Sequence, residues 1–321
     1  MSAWQLPDGI DEMTAEAALA FESLRRKLLD LYGSKGFGLV VVPLVEYVKS
    51  LLLTQDSVDE KTFKFLDPAS GKMLGIHADI TPQIARIDAK SGSDGVEKYC
   101  YVDAILQTQA DDFYASRSPI QAGAELYGSA DISADVEVIK LLLESLKLLQ
   151  IQPVVLSLGN VAIFNSLLAY EDLSSEKSAN LRQIFVRRSS PDLALFLSNN
   201  NLANAEKFSA LMQLEGGFEV LKKAADLFKD FPEVLAAIAD LDKIYQQLAA
   251  ENTEIIIDLG ELKAYEYHTG VVFCAYNQNY SKALAQGGRY NTLSESFGRI
   301  RPATGFSFDL KFLAQTAESK G

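Results

Sequence analysis

The spacing of apolar residues divides the chain into three stretches of different character. In the first, residues 14–32 carry Phe21, Leu24, Leu28 and Leu31 at helical spacing, with Thr14 placed to cap the helix and Gly33 and Gly36 to end it. Leu39-Val40-Val41-Val42 predicts a buried strand, broken by Pro43 before a further run over 45–53. Phe63-Lys64-Phe65-Leu66, the polar turn Asp67-Pro68-Ala69-Ser70-Gly71-Lys72 and an apolar run over 73–76 predict a hairpin. Asp79-Ile80-Thr81-Pro82 then opens a helix whose proline suits its first turn. Strands are expected over 99–109, 119–128 and 154–158. A strong helix over 133–149 precedes the last of these, with Val136, Ile139, Leu143 and Leu146 on one face.

Between 169 and 250 the strand pattern gives way to helical periodicity, as in Phe218, Leu221, Ala225 and Phe228, or Leu235, Ile238, Leu241, Tyr245 and Leu248. Strands return at Ile255-Ile256-Ile257, over 271–275 and over 306–308. The pattern predicts an α+β core, residues 1–168 and 251–321, interrupted by an all-helical insertion over 169–250. There is no internal repeat and no low-complexity segment.

Composition adds limits to this outline. The chain has 321 residues, 48% hydrophobic and 23% charged, which is globular composition and long enough for a sizeable core. No apolar run approaches the length of a membrane span, and the first residues lack a basic segment followed by an apolar one. Cys100 and Cys274 are too few for a disulfide framework and sit in apolar strand-like runs. A cytoplasmic protein is expected. The formal net charge of −13 argues against gripping a polyanion, so nucleic acid is excluded as a partner. Arg187-Arg188, and Arg299 with Arg301, are expected on a solvated surface. With His77 and His268 far apart, no metal-ligand spacing is present. A glycine-rich phosphate loop, a dinucleotide fingerprint and a nucleophile elbow are also missing, so no cofactor and no metal are expected.

Several segments, in order, resemble the class II aminoacyl-tRNA synthetase core, and specifically histidyl-tRNA synthetase. Trp4-Gln5-Leu6-Pro7-Asp8-Gly9 is similar to the start of that core, and Val42-Pro43-Leu44-Val45-Glu46 to the first class motif, which in the family builds a dimer interface. Tyr265-Glu266-Tyr267-His268-Thr269-Gly270-Val271-Val272-Phe273 resembles the histidine-specific segment. Gly287-Gly288-Arg289-Tyr290 and residues 305–313 resemble the approach to the third motif and its body. The resemblance implies an antiparallel sheet flanked by helices and a homodimeric core.

The departures from the family pattern fall on its phosphate chemistry. The arginine and glutamate of the second motif correspond to Gln107 and Gln109, and the arginine of the histidine-specific segment to Lys263. The third motif's arginine falls on Phe312, beside Lys311, and a glycine that lies against adenine falls on Asp309. Losing one charged contact to a transition state costs roughly 3–4 kcal/mol, so losing several leaves little adenylation. The sequence runs only a few residues past the third motif, so the family's anticodon-binding domain is not expected here.

The amino-acid half is better kept. The family holds the ligand's ammonium with an acidic residue, a threonine and a glutamine, which correspond to Asp79, Thr81 and Gln121, and surrounds the imidazole with positions that read Glu125, Tyr267 and His268. Singly, each suits a structural duty: Asp79 as a cap, Glu125 as the partner of a nearby cation, Tyr267 on a strand face, His268 as a buried histidine. Their joint order favours a histidine site.

A synthetase-like core without phosphate chemistry is similar to the regulatory subunits of ATP phosphoribosyltransferase. That resemblance implies a non-catalytic chain that assembles with a short-form catalytic subunit in histidine biosynthesis, activates it and binds histidine for feedback inhibition. Two alternatives stay open: a truncated relative that activates an amino acid with ATP, and a scaffold with a dead pocket.

Overall fold

A computed structural model of the chain describes residues 5–53, 58–110, 116–262 and 267–318. Two compact units are present, one of Met1–Ser129, Leu141–Gln152 and Asn291–Gly321, the other of Ala130–Lys140 and Pro153–Tyr290.

The first unit opens with helix α1 (Ala15–Ser34), where the Thr14 hydroxyl accepts the Ala17 N–H at 3.4 Å. The helix runs through Gly33, and Gly36 takes φ 84° just beyond it. Strands β1 (Gly38–Leu39) and β2 (Val45–Tyr47) and short helices α2 (Val48–Leu51) and α3 (Val58–Lys61) follow. The predicted hairpin is β3 (Lys64–Leu66) with β4 (Met73–Ile76), closed by Asp67, whose carboxylate accepts the Ala69 N–H at 3.0 Å. Helix α4 (Thr81–Ser91), with its proline in the first turn, leads to the long strands β5 (Glu97–Ala104) and β6 (Ile120–Tyr127). Helix α5 (Ile132–Leu148) belongs to the second unit up to Lys140 and to the first from Leu141.

The second unit continues with β7 (Val155–Asn160), α6 (Val161–Ala169), α7 (Ser175–Val186), α8 (Ser190–Asn200), α9 (Ala205–Leu211), β8 (Glu215–Gly216), α10 (Glu219–Leu227), α11 (Pro232–Leu248), β9 (Glu254–Asp258), β10 (Val271–Tyr276) and β11 (Ala285–Arg289). Strand β12 (Ala303–Asp309) and helix α12 (Leu310–Glu318) complete the first unit.

Within the first unit the strand order is β1-β5-β6-β12, beside a small β2-β4-β3 sheet; within the second it is β11-β10-β7-β9-β8. Most pairs are antiparallel, as expected. Two are parallel, β1 with β5 and β7 with β9. Parallel neighbours need a long crossover, and the helices α6 to α11 supply it between β7 and β9. Inside that helical stretch β8 is a two-residue strand with no propensity signal of its own, recruited by pairing Glu215 with Asp258.

Three expectations need correction. Leu39-Val40-Val41-Val42 is not a buried strand: pairing is confined to Gly38 and Leu39 plus one bond from the Val40 N–H to the Cys100 carbonyl, and Leu39 and Val41 are 51% and 75% exposed. Pro43 denies the next ladder bond, and apolar character alone does not distinguish a core from an uncovered face. Neither Arg188 nor Arg301 is a solvated surface charge. Arg301 is buried, its Nε 2.7 Å from the Asp88 carboxylate, and its Nη atoms donate to the carbonyls of Ser93 and Gly95, each at 2.8 Å. Gly128, at φ 86°, leaves the room that this guanidinium occupies.

Removing one member of a buried pair strands the other. Asp88→Ala is expected to cost about 3–5 kcal/mol in denaturant unfolding; a loss no larger than that of an exposed ion pair would show the pair to be dispensable.

Candidate functional site

Four of the predicted site residues meet in the first unit. Asp79 lies in the turn between β4 and α4, and Thr81 is the first residue of α4. Gln121 and Glu125 sit four apart on β6 and therefore share one face of the strand, with Gly123 between them. All four are buried, Glu125 to 1% exposure. The Gln121 carboxamide joins the two elements: its oxygen accepts the Ile80 N–H at 3.0 Å and its nitrogen donates to Asp79 Oδ1 at 3.0 Å. Thr81 Oγ1 donates to Glu125 Oε1 at 2.8 Å, and the Tyr101 hydroxyl donates to the same oxygen at 3.2 Å.

Tyr101 was not among the predicted residues, and neither were the two glycines that make room for this arrangement. Register pairs Gly123 with Tyr101 across β5 and β6, and a Cβ on Gly123 would overlap the tyrosine hydroxyl. Register also pairs Gly305 of β12 with Glu125, and a Cβ there would overlap the Glu125 carboxylate. The signal for both glycines is their position on strands, where a residue without a side chain marks a close approach. Identifying what approaches requires the register.

Asp79 is the reactive end of the group. Oδ1 takes the Gln121 bond and a long one from the Thr81 N–H, while Oδ2 is buried and accepts no hydrogen bond among the described residues. Burial raises its carboxyl above the ordinary value, against the opposing bonds from Gln121 and the Thr81 backbone. A buried carboxylate with an open oxygen is a receptor for a cation that donates hydrogen bonds, such as an ammonium. The loop bearing Asp79 is tied down by His77, whose ring nitrogens lie 3.0 Å from the Pro43 carbonyl oxygen and 2.9 Å from that of Ala104.

In the second unit Tyr267 and His268 are both buried, with ring centroids 5.0 Å apart, and Tyr290 stands edge-on to Tyr267 at 5.3 Å. A Cβ on Gly288 would come within 2.8 Å of the His268 ring. The Thr269 N–H donates to the Arg289 carbonyl at 2.8 Å, and Arg289 itself is paired with the buried Asp135 at 2.7 Å. Lys263, with Tyr265 and Glu266, lies outside the described residues.

The positions that correspond to phosphate ligands are occupied with other tasks. Gln107 donates from Nε2 to the Ala78 carbonyl at 3.2 Å, and Gln109 is exposed. Asp309 accepts the N–H groups of Lys311 and Phe312 at 3.0 and 3.2 Å, capping α12. Phe312 is half-buried, and Lys311 reaches the Asp11 carboxylate at 2.9 Å. None of these side chains offers a free cation to a phosphate.

This fold and these residues define a histidyl-tRNA synthetase-like protein of the class II kind. The sequence matches the histidyl-tRNA synthetase family over residues 9–313. Among solved structures it resembles an ATP phosphoribosyltransferase regulatory subunit/histidyl-tRNA synthetase from Bacillus halodurans (TM-score 0.88, 24% identity, 99% of this chain and 84% of that one). It also resembles a histidyl-tRNA synthetase from Nostoc (TM-score 0.82, 17% identity, 100% and 77%). Among characterised sequences it is 41% identical over 315 residues to the ATP phosphoribosyltransferase regulatory subunit of Thiobacillus denitrificans, covering 98% of each chain. It is 43% identical over 322 residues to that of Pseudomonas savastanoi pv. phaseolicola, covering 99% of this chain and 82% of the relative. The chain belongs to the ATP phosphoribosyltransferase regulatory subunit family.

Because burial raises the Asp79 carboxyl, the protonated form favours the ligand-free fold. That contribution is complete below the unfolded value of 3.8 and is lost as pH rises through the raised folded value. Asp79→Asn abolishes the titration. The difference in Tm, variant minus wild type, is therefore expected to grow as pH rises above the unfolded value of 3.8; a difference independent of pH would contradict the assignment.

Proposed function

We propose that this chain is a non-catalytic regulatory subunit of ATP phosphoribosyltransferase, in the first step of histidine biosynthesis. It assembles with a short-form catalytic subunit, activates it, and binds histidine to confer feedback inhibition. The observation that carries the ligand half is the buried Asp79–Gln121–Thr81–Glu125 cluster, whose open Asp79 oxygen suits an ammonium. The loss of phosphate ligands at Gln107, Gln109, Asp309 and Phe312 supports a role without adenylation. Tyr267 and His268 are the proposed imidazole-side contacts, and Lys263 completes the degenerate set. Among the described residues no helix is long and apolar enough to cross a membrane; a cytoplasmic location is part of the proposal.

Histidine titration of the chain by calorimetry is expected to give saturable heat. Asp79→Ala and Tyr267→Ala, each made alone, test the two groups of contacts separately. In the assembled enzyme Glu125→Ala should desensitise inhibition while leaving assembly intact. Feedback needs a coupling of about 1–3 kcal/mol, a shift of about 5- to 150-fold, which this variant should remove. Unchanged inhibition would sink the site assignment. Histidine-dependent pyrophosphate exchange is expected to be absent, and its presence would favour the amino-acid-activating alternative.

A homodimeric core is part of the same proposal. Leu39, Val41, Leu44, Val45 and Tyr47, in and beside the segment similar to the first class motif, are all exposed in the single chain, an apolar set suited to a second copy. Val41→Glu is expected to shift sedimentation toward monomer, and an unchanged sedimentation profile would rule out that face.

A further inference from the structure

We infer that Arg188, in the helical insertion, is a positioning residue for the stem from which the Tyr267–His268 segment departs. This inference rests on the proposed role of those two residues. Arg188 follows α7 at φ 54°, in a turn where its N–H donates to Phe185 and the Ser189 N–H donates to Ile184. A helix end of this kind fixes where the side chain starts. Its guanidinium is largely covered and faces three carboxylates: it is bonded to Asp258, lies 3.9 Å from Glu261, and lies 3.8 Å from Glu215.

The carboxylates belong to the stem and to the strand beside it. Asp258 ends β9 and its Oδ1 accepts the Gly260 N–H at 3.1 Å, while the Leu259 N–H donates to the Leu214 carbonyl at 3.0 Å. A Cβ on Gly260 would stand 3.2 Å from the Leu211 carbonyl oxygen and from the Met212 Cα, so the stem lies close against the end of α9. Glu261 and Leu262 are buried in turn. Stability alone accounts poorly for the cluster. Burial, with Glu261 and Glu215 opposing Arg188, pushes the Asp258 carboxyl up to about 6. Buried charge that adds little stability is better accounted for by the geometry it enforces. Arg188 holds residues 258–262 on one side of the segment, and the Arg289 carbonyl holds Thr269 on the other.

The test uses the full chain. Arg188→Met should speed amide exchange at 259–262 and 267–270 on the order of tenfold while α11 stays protected. It should weaken histidine binding about tenfold, with much of the loss restored in Arg188→Lys. Asp258→Asn should behave alike, and the double variant no worse than either single one, since both remove the same contact. It also serves if Arg188→Met does not fold. Exchange unchanged at both stretches overturns the clamp. Faster exchange with unaltered affinity overturns its link to the ligand. A wild-type chain that takes up no histidine defeats the functional proposal instead, and exchange then judges the clamp by itself.

Discussion

The first unit is organised around the demand that a buried carboxylate be met by hydrogen-bond donors. Glu125 is almost inaccessible and receives two hydroxyl donors on one oxygen. Each donor then constrains the chain that carries it. Thr81 must begin α4, so the preceding turn is fixed, and His77 fixes it by bridging the Pro43 and Ala104 carbonyls. Tyr101 must cross to the neighbouring strand, so position 123 admits no side chain. The carboxylate must turn toward β12, so position 305 admits none either. Accommodating this one carboxyl group thus draws on β5, β6 and β12 together.

The positions that depart from the synthetase pattern are not idle. Asp309 caps α12 and Gln107 ties down the Ala78 carbonyl, while Lys311, beside the departing Phe312, anchors the Asp11 segment. At Gln107 and Asp309 the residue has been absorbed into the fold, so a reversion at either would remove a structural bond before it supplied a phosphate ligand. Arginine at 107 would forfeit the Ala78 contact, and glycine at 309 would remove the side-chain cap of α12, at a few tenths of a kcal/mol.

Much of this was legible in the sequence. Thr14, the Asp67 turn, Pro82 and the long periodic helix over 133–149 carry local signals that tertiary contacts did not override. That Asp79, Thr81, Gln121 and Glu125 come together was legible too, because they are ordered as in a family. What escaped were properties of register and of burial. Tyr101, Gly123 and Gly305 matter through cross-strand neighbours that no linear spacing encodes. The Leu39–Val42 run reads as core because hydropathy is blind to whether a face is covered. Arg188 and Arg301 read as solvent-facing because a basic residue gives no hint of a buried acidic partner some 70 or 213 positions away.

The open oxygen of Asp79 gives the proposed regulation a physical basis. A group left partly unsatisfied in the ligand-free fold makes that fold less stable than it would otherwise be, and a cation that satisfies it returns the difference as binding energy. Ligand then stabilises only the state in which Asp79, Gln121 and Thr81 are assembled, by an amount that rises with the logarithm of its concentration. A fully satisfied cluster would be more stable and indifferent to its ligand. A site that reports concentration has to remain incomplete until the ligand arrives, and the open Asp79 oxygen gives the proposed site that property.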